Sequence, residues 1–250
     1  MRIVLLLSIC AAALNAQDPF EIHVYEYEPL PPRTFTYEAH MNYIAKGAEG
    51  FHFASEVTAG VTDDFRAAVV LLTARRPDHA FEYAGFRVLP HIYAPQRWHL
   101  PLNLGFVAEF SFAKAEYVDD PWQVELRPIV EKHIGRLQLD GNPVVSRGLR
   151  GSHTNRGWVF EPAARIGWQL SRSFTPSVEY YGSWTADPIQ QVFAGGDLRV
   201  SKNVTWRFGA GFGLTPATNG LTLKSHLQFE IGGHKKINMY KRTYKKGLCK

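Results

Sequence analysis

The sequence predicts an all-β chain closing into a single antiparallel transmembrane β-barrel of about twelve strands. Three observations point there. Period-two alternation of apolar and polar residues recurs from about Thr34 to Gly232, in segments that mostly run about eleven residues or more. The connections between these segments alternate between short and long. The faces opposite the apolar ones carry charges of both signs in mid-strand. Ordinary globular strands run ~5–6 residues, whereas eleven residues tilted near 40° rise about 28 Å, close to the hydrocarbon thickness of a bilayer.

Taken in chain order, residues 1–16 (MRIVLLLSICAAALNA) read as a secretory signal. One Arg precedes a short apolar run and small residues follow, with cleavage expected after Ala16. Cys10 is a poor lipoprotein site, because Ile9 precedes it and the apolar run is short. No other stretch of ~20 apolar residues exists. Cleavage leaves Cys249 alone, so no internal disulfide is expected. Residues 17–33 form an N-terminal segment with four acids ahead of a proline-rich stop. Three placements are open for it: a periplasmic arm, a lumen segment lying against arginines, or a short linker. The barrel is expected over 34–232, with strands near 34–46, 51–61, 65–75, 81–93, 98–112, 121–133, 137–147, 157–170, 174–184, 190–200, 204–214 and 221–231. The turns TDD, PQR, IGR, SRS and SKN follow even-numbered strands, and most of the other connections are longer. An even strand count with short turns on one side is the pattern of an outer-membrane barrel, and it places both termini in the periplasm. Residues 233–250 read as a basic, disordered tail.

That tail explains the net charge. Residues 234–250 hold seven Lys/Arg and no acid; without them and Arg2 the chain has 20 basic and 23 acidic residues. The folded body is slightly acidic, so no nucleic-acid partner is expected.

Facing is read from the alternation. Leu221, Leu223, Leu227, Phe229 and Ile231 share one face of the last strand, and similar apolar faces recur on the others. The opposite faces carry Glu38, His40, Glu56, Arg87, Glu109, Glu125, Arg127, Glu131, Glu161, Arg165, Glu179, Asp197, Arg199, Arg207, Lys224 and Glu230. Arginine and glutamate mixed in mid-strand suit an enclosed lumen, where guanidinium forks bind several carboxylates. Glu125 with Arg127 and Asp197 with Arg199 recur at two-residue spacing. Twelve strands give a backbone radius of roughly 12 Å, which inward side chains narrow. Gly195, Gly209, Gly211 and Gly213 fall on the inward face of neighbouring strands. They offer either a gap for solute or a wall over which Phe193, Tyr181 or an arginine packs.

At FEIHVYEYE, EYAGFRVLP, HLPLNL, VELRPIVEK, GWVFEP, FTPSVEYYG and GGDLRVSKNVTWRFGAGFG the chain resembles a group of sparsely characterised bacterial outer-membrane barrels described as transporters. These are distantly similar to barrels associated with phenol-degradation pathways. The resemblance spans roughly residues 19–232 and rests on strand and turn patterns. It implies an outer-membrane location and uptake of small, hydrophobic compounds; the basic tail departs from the pattern.

Catalytic signals are weak. Ser152 and His153 are neighbours in a long connection, and Ser225 and His226 point to opposite faces of one strand. Inward-facing His40, His91, His133 and His226 could form a metal site if strands brought them together, but metal-ligand spacing is absent; hydrogen-bonded lumen histidines are the expectation, with no metal site and no cofactor. The expected function is therefore a Gram-negative outer-membrane channel or transporter for small molecules, with a narrow Glu/Arg-lined lumen. The alternatives are a non-conducting structural or adhesion barrel and, third, a membrane-lipid hydrolase. The expected partners are outer-membrane lipid and a small-molecule solute; the oligomeric state is not legible.

Overall fold

The computed structural model describes residues 18–45, 50–152, 154–186, 188–218 and 220–232. The signal segment, the basic tail and His153 lie outside these residues. Twelve strands form one closed antiparallel barrel. They are β1 (Phe35–Ile44), β2 (Gly50–Gly60), β3 (Phe65–Arg75), β4 (Glu82–Tyr93), β5 (Asn103–Ala113), β6 (Trp122–Ile134), β7 (Leu137–Arg150), β8 (Val159–Trp168), β9 (Phe174–Ser183), β10 (Ile189–Arg199), β11 (Val204–Gly213) and β12 (Leu221–Ile231). Each strand pairs with its neighbours in sequence, and β1 pairs with β12 to shut the ring. Closure leaves no unpaired sheet edge.

The alternation works as expected on the outside. Val57, Val69, Leu71, Val88, Phe110, Ile166, Val178 and Leu223 are exposed along mid-strand. So continuous an apolar belt requires an apolar surrounding. Aromatic pairs sit toward the strand ends: Tyr43 with Phe51 at 4.7 Å and Phe112 with Trp122 at 4.9 Å at one end, Tyr37 with Phe229 at 6.1 Å at the other.

Two departures have local causes. The strand expected from residue 98 begins at Asn103. Gln96–Trp98 form a single 3-10 turn, capped by His99 in the left-handed region, and Pro101 has no N–H to give to a ladder. The β4–β5 connection is therefore longer than the three-residue turn expected there. The strand expected from residue 157 begins at Val159, after a second 3-10 turn at Thr154–Arg156.

The interior differs more. It is not polar throughout. The inward faces of β3 to β6 carry Val70, Leu72, Leu89, Val107 and Ile129, each fully buried. Charged residues share these strands, among them Arg66, Arg87, Glu109, Glu125 and Glu131, and line the rest of the wall as well; the whole wall packs against a chain segment that runs through the barrel.

Candidate functional site: an occupied lumen

The segment is the chain's own. Residues 18–30 run extended inside the ring and enter β1 through a tight turn at 31–34. At the short-turn end, the Arg33 N–H donates to the Gly60 carbonyl at 3.0 Å, and the Gly60 N–H donates to the Thr34 carbonyl at 2.9 Å. A Cβ at Gly60 would strike the carbonyl oxygens of Leu30 and Pro31, so this close approach requires glycine. Arg33 itself takes φ 62°, the left-handed conformation that reverses the chain into β1. At the far end Asp18 reaches Arg87. The start of β1 and the end of β12 lie together at the short-turn end, but Asp18 lies at the long-connection end. The described N-terminal segment thus doubles back through the ring.

Both of its faces are buried. Phe20, Tyr25 and Tyr27 join the apolar half with Leu72, Leu89, Val107 and Ile129. Ile22 and Val24 meet Ala163, Tyr181 and Phe193. An extended chain that belongs to no sheet must satisfy its backbone elsewhere, and lumen side chains do so. The Asn142 amide brackets Tyr25: its oxygen accepts from the Tyr25 N–H at 2.7 Å, and its nitrogen donates to the Tyr25 carbonyl at 3.0 Å. Asn42 donates to the carbonyls of Pro19 and Phe20 at 2.9 and 3.1 Å. Glu131 accepts from the Tyr27 N–H at 3.0 Å, and Lys224 donates to the Ile22 carbonyl at 3.3 Å.

Its carboxylates meet the wall's cations. Arg87 gathers Asp18, Glu21 at 3.1 Å and Glu109 at 3.2 Å. Arg165 gathers Glu26 at 3.3 Å, Asp140 at 3.0 Å, Glu179 at 4.0 Å and Asp197. Arg207 holds Glu28 at 2.7 Å and lies 4.0 Å from both Glu26 and Asp197. Lys224 pairs with Glu179. Arg127 pairs with Glu125 at 2.7 Å and stacks over the Tyr25 ring at 4.5 Å. The Arg165 network joins four strands to the inner segment and the Arg87 network joins two, the arrangement that offsets the cost of burying charge.

Of the residues assigned to the lumen by alternation, Glu38, His40, Glu56, Arg87, Glu109, Glu125, Glu131, Arg165, Glu179, Arg207 and Lys224 are buried inside the ring. Arg127, Glu161 and Asp197 are half-buried there, while Arg199 and Glu230 are exposed at the short-turn rim. The glycine wall is covered in part: the Phe193 ring lies where a Cβ on Gly211 would stand, and the Lys224 stem lies 3.3 Å from that of Gly209. Ser225 and His226 do point apart; Ser225 accepts from the Trp206 indole at 2.9 Å while His226 faces inward. Sequence reading missed Asp140 and Arg66. Both carry inward parity, with Gln138 and Asn142 on β7 and with Ala68 and Val70 on β3, and parity alone would have found them.

Above the segment, at the long-connection end, a cavity of about 360 Å³ opens, lined by Asp18, Glu21, Arg87, Glu125, Arg127 and Glu161 among others. Tyr117, from the 114–121 connection, walls one side and meets Phe20 edge-on at 5.9 Å. Burial pushes its phenol up to about 12, as does its 2.5 Å bond to the Glu82 carboxylate, so it remains a neutral donor at ordinary pH.

No protein-family model matches the chain, and no curated protein matches it. Solved structures match its fold. The NanC porin aligns with a TM-score of 0.58 at 8% identity, over 78% of this chain and 100% of that one. The KdgM porin aligns at 0.54 and 10% identity, over 80% and 99% respectively. The translocator domain of the autotransporter NalP from Neisseria meningitidis aligns at 0.50 and 10% identity, over 80% and 88%. At these identities the likeness is one of fold: that of a bacterial outer-membrane β-barrel of the porin type.

Proposed function

We propose that this chain is a Gram-negative outer-membrane channel for small molecules, and that residues 18–30 hold its passage shut. In this reading the short turns face the periplasm. Outer-membrane lipid meets the apolar belt. The N-terminal segment enters the lumen from below and reaches toward the outer mouth. The observation that carries the reading is the segment itself: Phe20, Ile22, Val24, Tyr25, Tyr27 and Leu30 are all buried within the ring. A purely structural barrel has no need of a separate, polar-tethered filler, whereas a passage that opens does. Vacating the segment would expose an apolar patch of Val70, Leu72, Leu89, Val107 and Ile129 set among charged groups of both signs. That pairing suits small amphipathic or hydrophobic solutes, the class implied by the resemblance to transporter barrels. One solved form of the KdgM porin is a complex with oligogalacturonate. The wall here carries more acids than bases, which favours neutral solutes over acidic sugars.

Planar-bilayer recording tests this. At low applied voltage the full chain should pass almost no current, and a variant lacking residues 17–30 should give stable conductance steps. Heat-modifiable gel mobility would establish that both are folded. A folded deletion variant that stays silent would sink the channel reading and leave the structural-barrel alternative.

A further inference from the structure

The seam where the ring shuts carries a cluster that the ion-pair networks leave aside. β1 and β12 place His40 directly opposite His226, and the two imidazoles stack with centroids 4.0 Å apart. β1 and β2 place Glu38 directly opposite Glu56. All four side chains are buried. Like charges opposed across a strand pair destabilise it. Yet among the described residues neither carboxylate has a Lys or Arg within ion-pair distance; Glu38 accepts from Gln228 at 3.1 Å and Glu56 from Thr58 at 2.6 Å, and their other near partners are His40 and His226. Two ring nitrogens, His40 Nε2 and His226 Nδ1, are buried without a hydrogen-bond partner. Such orphaned polar atoms call for a ligand or a cation.

One ligand atom each from Glu38, His40 and His226 lie within 4.8 Å of one another. Donors bound to zinc at 2.0–2.1 Å sit roughly 3.4 Å apart in a tetrahedron, so the distances are within reach once the two stacked rings tilt apart to aim their lone pairs at one ion. Two imidazoles and a carboxylate suit a first-row divalent transition ion better than magnesium or calcium, which take oxygen. A fourth donor is at hand. His23, on the inner segment, has its ring 5.1 Å from that of His226 and 6.1 Å from that of His40. An approach exists too: Glu21, Glu56 and His40 form a second close set, and Glu21 also lines the outer cavity.

We propose that the closing seam binds a first-row divalent transition-metal ion through Glu38, His40 and His226, with His23 as the ligand that ties the inner segment to the wall. The consequence for gating rests on the closed-channel reading; the metal site does not. Metal binding would favour the closed form over one whose segment has left only by the affinity that His23 adds to the three wall ligands.

The test uses the full chain, folded in detergent and stripped with chelator, in a Cys249→Ser, His234→Gln background that removes donors of the tail. Zinc chloride titration with calorimetry, and metal analysis after desalting, should find one zinc per chain. His40→Gln and His226→Gln should abolish retention, losing more than the roughly 10–100-fold that removal of a mere outer partner brings. Glu38→Gln, nearly isosteric, provides a variant whose folding is least disturbed and should also lose retention. His23→Gln should keep the stoichiometry through the three wall ligands, weaken binding by more than the roughly 10–100-fold of an outer partner, and lose the slowing of N-terminal proteolysis that zinc gives the parent chain. No zinc retained by the parent, or undiminished retention by folded His40→Gln and His226→Gln variants, overturns the site. Equal zinc protection of parent and His23→Gln overturns the tie. A full chain that conducts freely would sink the closed-channel reading and leave the titration unchanged.

Discussion

Single side chains here answer for several partners. Arg165 is the clearest: it is buried and meets Glu26, Asp140, Glu179 and Asp197, from the inner segment and three strands. Removing one partner of a buried ionic network leaves uncompensated charge, which costs more than the network contributes as a whole. Arg165→Met should therefore lower stability by about 3–5 kcal/mol, measured as unfolding by guanidinium chloride in detergent. Double replacement with Glu26→Gln should recover part of the loss, because one stranded carboxylate is then gone. A loss below about 1 kcal/mol would mean that water already reaches the network and that the lumen is wetter than its packing suggests. Asn142 works by geometry instead of charge. Its amide offers the donor and acceptor that a neighbouring strand would offer, so one side chain stands in for a ladder rung at Tyr25.

At the scale of elements, the turn at 31–34 decides whether the inner segment can lie where it does. Gly60→Ala would drive a methyl group into the carbonyls of Leu30 and Pro31. The expected result is a barrel still folded by gel mobility but destabilised by about 1–3 kcal/mol, with residues 18–30 cleaved sooner by added protease. Unchanged cleavage would show that the segment is held by its far end alone. The same elements show what a sequence can reveal. All twelve strands were legible, because each buries one face and exposes the other to an apolar surrounding, and period two records that directly. The start of β5 was not, because Trp98, Leu100 and Leu102 keep the alternation across a 3-10 turn and a proline that interrupt the backbone. The inner segment was legible only as one of three placements. Both of its faces meet protein, so FEIHVYEYE places apolar and charged groups on each, and no alternation tells a lumen from water. For the seam cluster the inward-facing histidines were legible but their meeting was not. His40 and His226 stand at opposite ends of the barrel sequence, and only ring closure makes them neighbours.

For the molecule as a whole, the ring and its filler form one body in which the first part of the chain is enclosed by the last strand. The segment from Asp18 to Glu28 carries four carboxylates and no Lys or Arg, and it is tied to the wall covalently only at the short-turn end. That makes it a tethered charge inside an insulating sheath, and hence responsive to voltage. Moving one elementary charge across a membrane potential is worth about 2.3 kcal/mol per 100 mV. With four such charges, a modest potential competes with the bonds that hold the segment. Recordings on the full chain should therefore be asymmetric: current should appear at the polarity that drives anions toward the short-turn end and stay absent at the opposite one. Equal thresholds at both polarities would mean that the segment does not move as a charged unit. Moving as such a unit, the four acids ahead of β1 make the closed barrel a rectifier.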